Sequence, residues 1–169
     1  MKSRNLTLSS IALACSLALA PLAASAKDAP AGAKNTVVVN VDNFNKAQTD
    51  LNFEGILKQS GSINKMHHNR APTPIAKQNI IRMNRDTLYS MAVVDISKGA
   101  TVTLPDAGKR YQSLMIINND GYVNKTFYGA GPHKLTMEEF QTPFVVAAVR
   151  TLANAEDPAD LAVAHKLQD

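Results

Sequence analysis

Residues 80–96 read IIRMNRDTLYSMAVVDI, and the fold turns on how this stretch is taken. Isoleucine, methionine, valine and tyrosine on both sides have the composition of buried strand. Asn84, Arg85 and Asp86 interrupt them where apolar residues are expected. Two explanations compete for this triplet. Arg85 can grip an anion, because its planar fork donates in pairs to a carboxylate or phosphate, with Asp86 orienting the ligand or moving a proton. Alternatively, the three side chains satisfy backbone groups left open at a corner between strands. A charge among apolar strands must be paired whatever its use, which favours the structural explanation. That explanation predicts that Arg85→Ala costs several kcal/mol, as loss of one member of a buried pair does.

Downstream the chain reads as further strands separated by turns. Lys98-Gly99 leads into Thr101–Leu104, and Pro105-Asp106-Ala107-Gly108 is a turn signal before Tyr111–Ile117. Residues 101–117 therefore read as a hairpin. Asn119-Asp120-Gly121 turns into a strand at Tyr122–Tyr128, and Gly129-Ala130-Gly131-Pro132 turns again. Thr136 with Glu139 three residues on forms a capping box for one short helical turn. Phe144–Thr151 is the last strand, and Asp157 followed by Pro158 opens a terminal helix.

Upstream, Asp42 reads as the N-cap of an amphipathic helix over residues 43–58, with Phe44, Ala47, Leu51, Ile56 and Leu57 as its apolar stripe. Ser60-Gly61-Ser62 stops it. Residues 61–79, GSINKMHHNRAPTPIAKQN, form a long loop of the kind that often carries function. Several short strands bracketed by two helices predict an antiparallel β-sandwich, all-β leaning, with an N-terminal amphipathic helix and a C-terminal helix.

The first 26 residues are set apart from this fold. Lys2 and Arg4 precede an apolar stretch from Ile11 to Leu22, and Ala24-Ser25-Ala26 supplies small residues for cleavage. This is the pattern of a secretory signal peptide cut after Ala26, too short for a spanning helix. Cys15 fits a lipoprotein acylation site poorly, since it would split the apolar run. Residues 27–40 read as a loose mature N-terminus, and residues 41–169 as one domain.

Cleavage leaves 143 residues, enough for one core. It removes two of the 18 basic residues, so 16 face 14 acidic ones at a net +2. That balance argues against nucleic acid, and no later run is long enough to span a bilayer. Cys15 is the sole cysteine, so the mature chain has no disulfide, thiolate nucleophile or cysteine-ligated metal.

His67-His68-Asn69-Arg70 lies in the long loop. Adjacent histidines on extended chain point to opposite faces, so only one can easily serve a given metal. Zinc or iron on His68 would need partners such as His133, Glu138 or Asp106, none at a diagnostic spacing. Ser90 and Ser113 sit in strands without a nucleophile elbow, and the glycines at 129 and 131 make no phosphate loop. Tyr89, Tyr111, Tyr122 and Tyr128 are expected in the core with their hydroxyls at its rim, or else lining a pocket with Arg85.

Asp42-Asn43-Phe44, His68-Asn69-Arg70, Ile81 through Ser90, Pro105 through Tyr111, Tyr128 through Gly131, Val149-Arg150-Thr151 and the closing HKLQD resemble, in order, the domain of unknown function numbered 1254. The resemblance implies an immunoglobulin-like sandwich with helical additions and no agreed activity. Many relatives continue into a second β domain, numbered 1214, and this sequence stops at the joint; where a relative's site is shared between the two domains, the resemblance implies that this protein holds half of it or finds the other half on a separate partner chain.

The reading is thus an exported, periplasmic or secreted binding or accessory module for a small anionic ligand or a partner chain. Its ligand-binding candidates are Asn69, Arg70, Asn84, Arg85, Asp86 and Tyr89. One alternative is a metal-assisted, hydrolase-like enzyme with Asp86, His68 and Tyr89 as catalytic candidates, His68 or His133 on the metal, Asp86 or Asp106 as the proton-handling carboxylate, and a site shared with a second domain or chain. It requires His68, Asn84–Asp86 and Tyr89 to converge on one cleft. The other alternative is a structural envelope protein.

Overall fold

Strand β2, Thr87–Asp95, begins where the polar triplet ends. Asn84 Oδ1 accepts from the Asp86 and Thr87 amides at 2.9 and 3.0 Å and from the Thr87 hydroxyl at 3.2 Å. Its side chain thus takes the place of a ladder partner and starts the strand. Residues 81 and 82 form a turn with Arg82 at φ 59°, so the strand expected before the triplet is absent there. The computed structural model describes residues 37–78 and 81–169. The expected signal peptide, the loose segment as far as residue 36 and the strand expectation at Ile80 lie outside them.

In chain order the elements are α1 Phe44–Ser60, β1 His67–His68, β2, β3 Ala100–Leu104, β4 Gln112–Asn118, β5 Val123–Tyr128, β6 Gly131–Leu135, α2 Met137–Phe140, β7 Phe144–Leu152 and α3 Pro158–Gln168. A five-stranded sheet runs β1-β2-β7-β4-β5, and a two-stranded sheet pairs β3 with β6. Every pairing is antiparallel. Mostly antiparallel β structure with a helix near each end is therefore what the chain adopts. The hairpin expected over 101–117 is not formed: β3 pairs with β6, while β4 lies between β5 and β7. The Pro105–Gly108 turn carries the chain from one sheet to the other. Strand β6 begins at Gly131, inside the stretch expected to be only a turn.

Alternation along the strands divides the large sheet into two faces. On one face Ala92, Val94, Leu114, Ile116, Val145, Ala147 and Val149 pack with Leu104 and Leu135 of the small sheet and with Phe140. On the other, Val93, Val146 and Ala148 meet Phe53 of α1, with Ile56 and Leu57 beside it. Helix α1 thus sits with Phe53 inward, while Phe44 and Leu51 of the expected stripe are about 60% exposed. Its N-cap is Asn43 rather than Asp42, and the Asn43 side chain turns back to the Asn40 amide. Gly121, at φ 85°, lets the β4–β5 turn approach the helix closely: a Cβ there would lie 2.7 Å from Asn45 Nδ2 and 2.8 Å from Thr49 Oγ1.

Both caps expected downstream are formed. Thr136 Oγ1 accepts from the Glu139 amide, and Asp157 accepts from Ala159 with Pro158 opening α3. Helix α3 packs Leu161 and Ala164 against Leu88 and Ala153. No helix among the described residues is long and apolar enough to cross a membrane.

Candidate functional site

The candidate residues part company at the sheet. The triplet is exposed, so the paired charge buried between strands is not there. Arg85 Nη1 donates to the Thr73 carbonyl at 3.0 Å, and Arg85 and Asp86 border a cleft of about 810 Å³ beside α3. Asn69, Asn84 and Tyr89 share a second cleft, of about 390 Å³. His68 faces a third, of about 460 Å³. The convergence that the enzyme reading requires of His68, Asn84–Asp86 and Tyr89 is therefore absent.

The His68 cleft is the best built. Met66, Val102, Leu104, Pro105, Val149 and Leu167 give it apolar walls, and His68, Ser90, Thr103, Lys166, Gln168 and Asp169 its polar groups, the Asp169 carboxylate being held by Arg70. Pairing of β1 with β2 sets His68 opposite Ser90, and His68 Nδ1 lies 2.8 Å from Ser90 Oγ. From α3, buried Gln168 donates through Nε2 to the Asn69 carbonyl and to Ser90 Oγ, both at 3.2 Å. A carbonyl can only accept, so the Asn69 contact fixes which end of the amide is nitrogen. Gln168 Oε1 then remains buried without a hydrogen-bond partner. Ser90 Oγ accepts from Gln168 and shares a further hydrogen bond with His68 Nδ1, whose direction follows the tautomer of the ring. Burial, and next the Arg70 guanidinium, hold the imidazole pKa below its ordinary 6.5, which keeps the ring neutral near pH 7.

Arg70 itself is engaged. It pairs with Asp169 and donates to the His165 carbonyl at 3.0 Å, while His165 Nε2 bonds the Arg70 carbonyl at 2.7 Å. These contacts clamp the end of α3 onto the loop after β1. His67 points to the other face and bonds Asn69 Oδ1 at 3.1 Å. His133 stacks on Phe127, ring centres 4.7 Å apart, and bonds the Gly129 carbonyl. Asp106 accepts from the Gly108 amide in its own turn, and Glu138 is exposed on α2. Among the described residues no three histidine, aspartate or glutamate side chains gather so as to hold a metal ion.

The tyrosines are not core residues. Tyr111, Tyr122 and Tyr128 are exposed, and Tyr89 is partly so. The arginine beside them is Arg150, whose guanidinium lies 5.3 Å from the Tyr89 ring centre, rather than Arg85. Ser90 stood in the sequence only as a strand serine without a nucleophile elbow, and Gln168 and Arg150 only within the family resemblance, because each acquires its neighbours through strand register or the docking of α3.

Residues 63–134 match the family model described as protein of unknown function, DUF1254. The curated proteins contain no significant match. Among solved structures, the VPA0106 protein of Vibrio parahaemolyticus is similar in fold, with a TM-score of 0.57 at 18% identity over 75% of this chain. This chain spans only 34% of that one. The part of the chain that matches the DUF1254 family model, residues 63–134, is the part that holds His68, Ser90 and the strands around them.

Proposed function

We propose that the chain is an exported binding module whose ligand enters the cleft between the two sheets, under the end of α3. The carrying observation is the ordered line Gln168–Ser90–His68 set in apolar walls. Apolar lining with a few oriented polar groups is the usual make-up of a small-molecule site. The ligand has an apolar body and an anionic head, which Lys166 and, in its Nε2–H tautomer, the His68 ring receive. The two unequal sheets stacked on one core are read as a reduced immunoglobulin-like sandwich. Export, to the periplasm or beyond, rests on residues 1–26, and a mature protein beginning at Lys27 is its expected product.

Hexanoate and hexanol, which share an apolar body and differ in charge, test the site. Hexanoate is expected to raise the thermal midpoint of the mature protein and hexanol to leave it unchanged, with the effect lost in His68→Ala. Equal effects of both probes, or an undiminished response in His68→Ala, would remove this reading.

A second reading has its own support. The solved relative is much the longer chain, and α3 leaves Val163 48% exposed, with Ala159 and Ala162 exposed beside it. That surface suits docking of a partner that carries the second β domain.

A further inference from the structure

The large sheet carries a second set of side chains on the face opposite the His68 cleft. Register places Tyr89 of β2 beside Arg150 of β7, Arg150 beside Ser113 of β4, and Ser113 beside Tyr128 of β5. Directly opposed residues of antiparallel strands point to one face, so the four form a single row across the sheet. At the usual strand spacing the row spans about 14 Å. Helix α1 covers this face at Val93 and Val146, and the Tyr89 row lies four residues further along the same strands. Tyr111 adds to it by donating from its hydroxyl to Ser113 Oγ at 3.0 Å and meeting the Tyr128 ring edge to face, centroids 6.3 Å apart.

Arg150 is the anomaly in this row. It is half-buried, its Nε is shut off from water, and among the described residues that nitrogen has no hydrogen-bond partner and no ion pair includes the side chain. Arginine taken partly out of water is ordinarily paired with an acid. Here the Tyr89 ring lies against it, and two further tyrosines stand beyond Ser113 at the other end of the row, 42% and 65% exposed at Tyr111 and Tyr128. Aromatic faces hold a guanidinium flat but do not neutralise it. What the row lacks is a carboxylate, and what it offers beside one is ring surface.

We propose that the Tyr89–Arg150–Ser113–Tyr128 row is a binding site for a carboxylate carried on a ring. The carboxylate receives the Arg150 guanidinium, and the ring lies against Tyr111 and Tyr128. An aromatic acid and a uronic sugar present the same chemistry, and both fit a surface of this length. The site is separate from the His68 cleft, on the other side of the sheet.

Titration of the mature protein with benzoate, glucuronate and benzamide tests the assignment. The chain has no tryptophan and four tyrosines, so tyrosine fluorescence reads the row with little background. Saturable quenching by either acid supports the site and names the ring class; quenching by neither overturns it. Benzamide, with the ring and no charge, is expected to bind at least about tenfold more weakly than benzoate. Equal binding of benzamide overturns the role of Arg150. Arg150→Met is expected to lose about tenfold or more in affinity for the acid that binds. Should that variant fail to fold, Tyr128→Ser at its exposed position carries the same test, with several-fold weaker binding expected and unchanged binding overturning the site. Hexanoate protection of the thermal midpoint is expected to survive both substitutions.

Discussion

Asn84 holds its place by accepting three hydrogen bonds from the two residues that begin β2, and this local duty is why a polar triplet interrupts apolar sequence. Arg85 has a lighter task, one bond from an exposed side chain to the Thr73 carbonyl. Arg85→Ala is therefore expected to cost no more than about 1 kcal/mol in urea unfolding, not the several that a buried pair implies. A loss of several would restore the buried-pair explanation. At this scale the sequence told the type of residue and missed its surroundings. His68 was legible as a candidate because a histidine pair in a loop stands out. Its partner Ser90 reads as an ordinary strand serine until β1 is laid against β2, and Gln168 lies 78 residues further on. Arg150 stood out only as part of the Val149-Arg150-Thr151 resemblance, since its isolation from any acid among the described residues is a property of four strands together.

Among the elements, α1 shows how far periodicity carries. The helix is where the spacing puts it, though it begins one residue later and ends two later, and it is rotated from the expected face. Phe44, Leu51, Ile56 and Leu57 all lie at helical spacings, and so do Thr49, Phe53, Ile56 and Leu57; the sheet selects the second set. Two large apolar residues are left outward, so hydrophobicity alone could not orient the helix. Phe53→Ala should cost about 3–5 kcal/mol in chemical denaturation, and Leu51→Ala less than about 0.5 kcal/mol. A reversed order would mean that the helix docks on its other face. Strand pairing was less legible still. Turn residues at 105–108 promise a hairpin by the same rules that hold for other turns, yet β3 and β4 go to different sheets. Alternating sequence tells a strand which side is wet and says nothing of who lies beside it.

Across the whole molecule, the end of the chain is tied to its middle at two places. At one, Arg70 and His165 bond reciprocally. At the other, Arg110 reaches from the turn after β3 to Asp160 at the start of α3, donating at 3.0 Å to the carboxylate and at 2.6 Å to the Leu152 carbonyl. The Arg110 bond, aided by the Asn154 amide, lowers the Asp160 pKa from 3.8 to about 2. A carboxyl more acidic in the folded state stabilises the fold above its unfolded pKa, and that contribution fades as pH falls toward the folded value. Unfolding followed by circular dichroism should show stability declining from about pH 4 to about pH 2, with a shallower decline in Asp160→Asn. Parallel curves for the two proteins would place the acid sensitivity elsewhere.

The position of β7 sets the order in which the molecule can assemble. The last strand to be made is the middle of the sheet, with β2 on one side and β4 on the other. Residues 87–118 thus hold two strands that cannot join each other, because the span between them is kept for a strand ending at residue 152. Until that strand arrives the growing chain can form α1 and the separate β1–β2, β3–β6 and β4–β5 pairs, but has no continuous sheet and no closed core. Such a topology folds late and all at once, with long loops to close before the central contacts form. Were the chain threaded through a membrane pore before folding, as the proposed export requires, a core that closes only with β7 would leave it open for the passage.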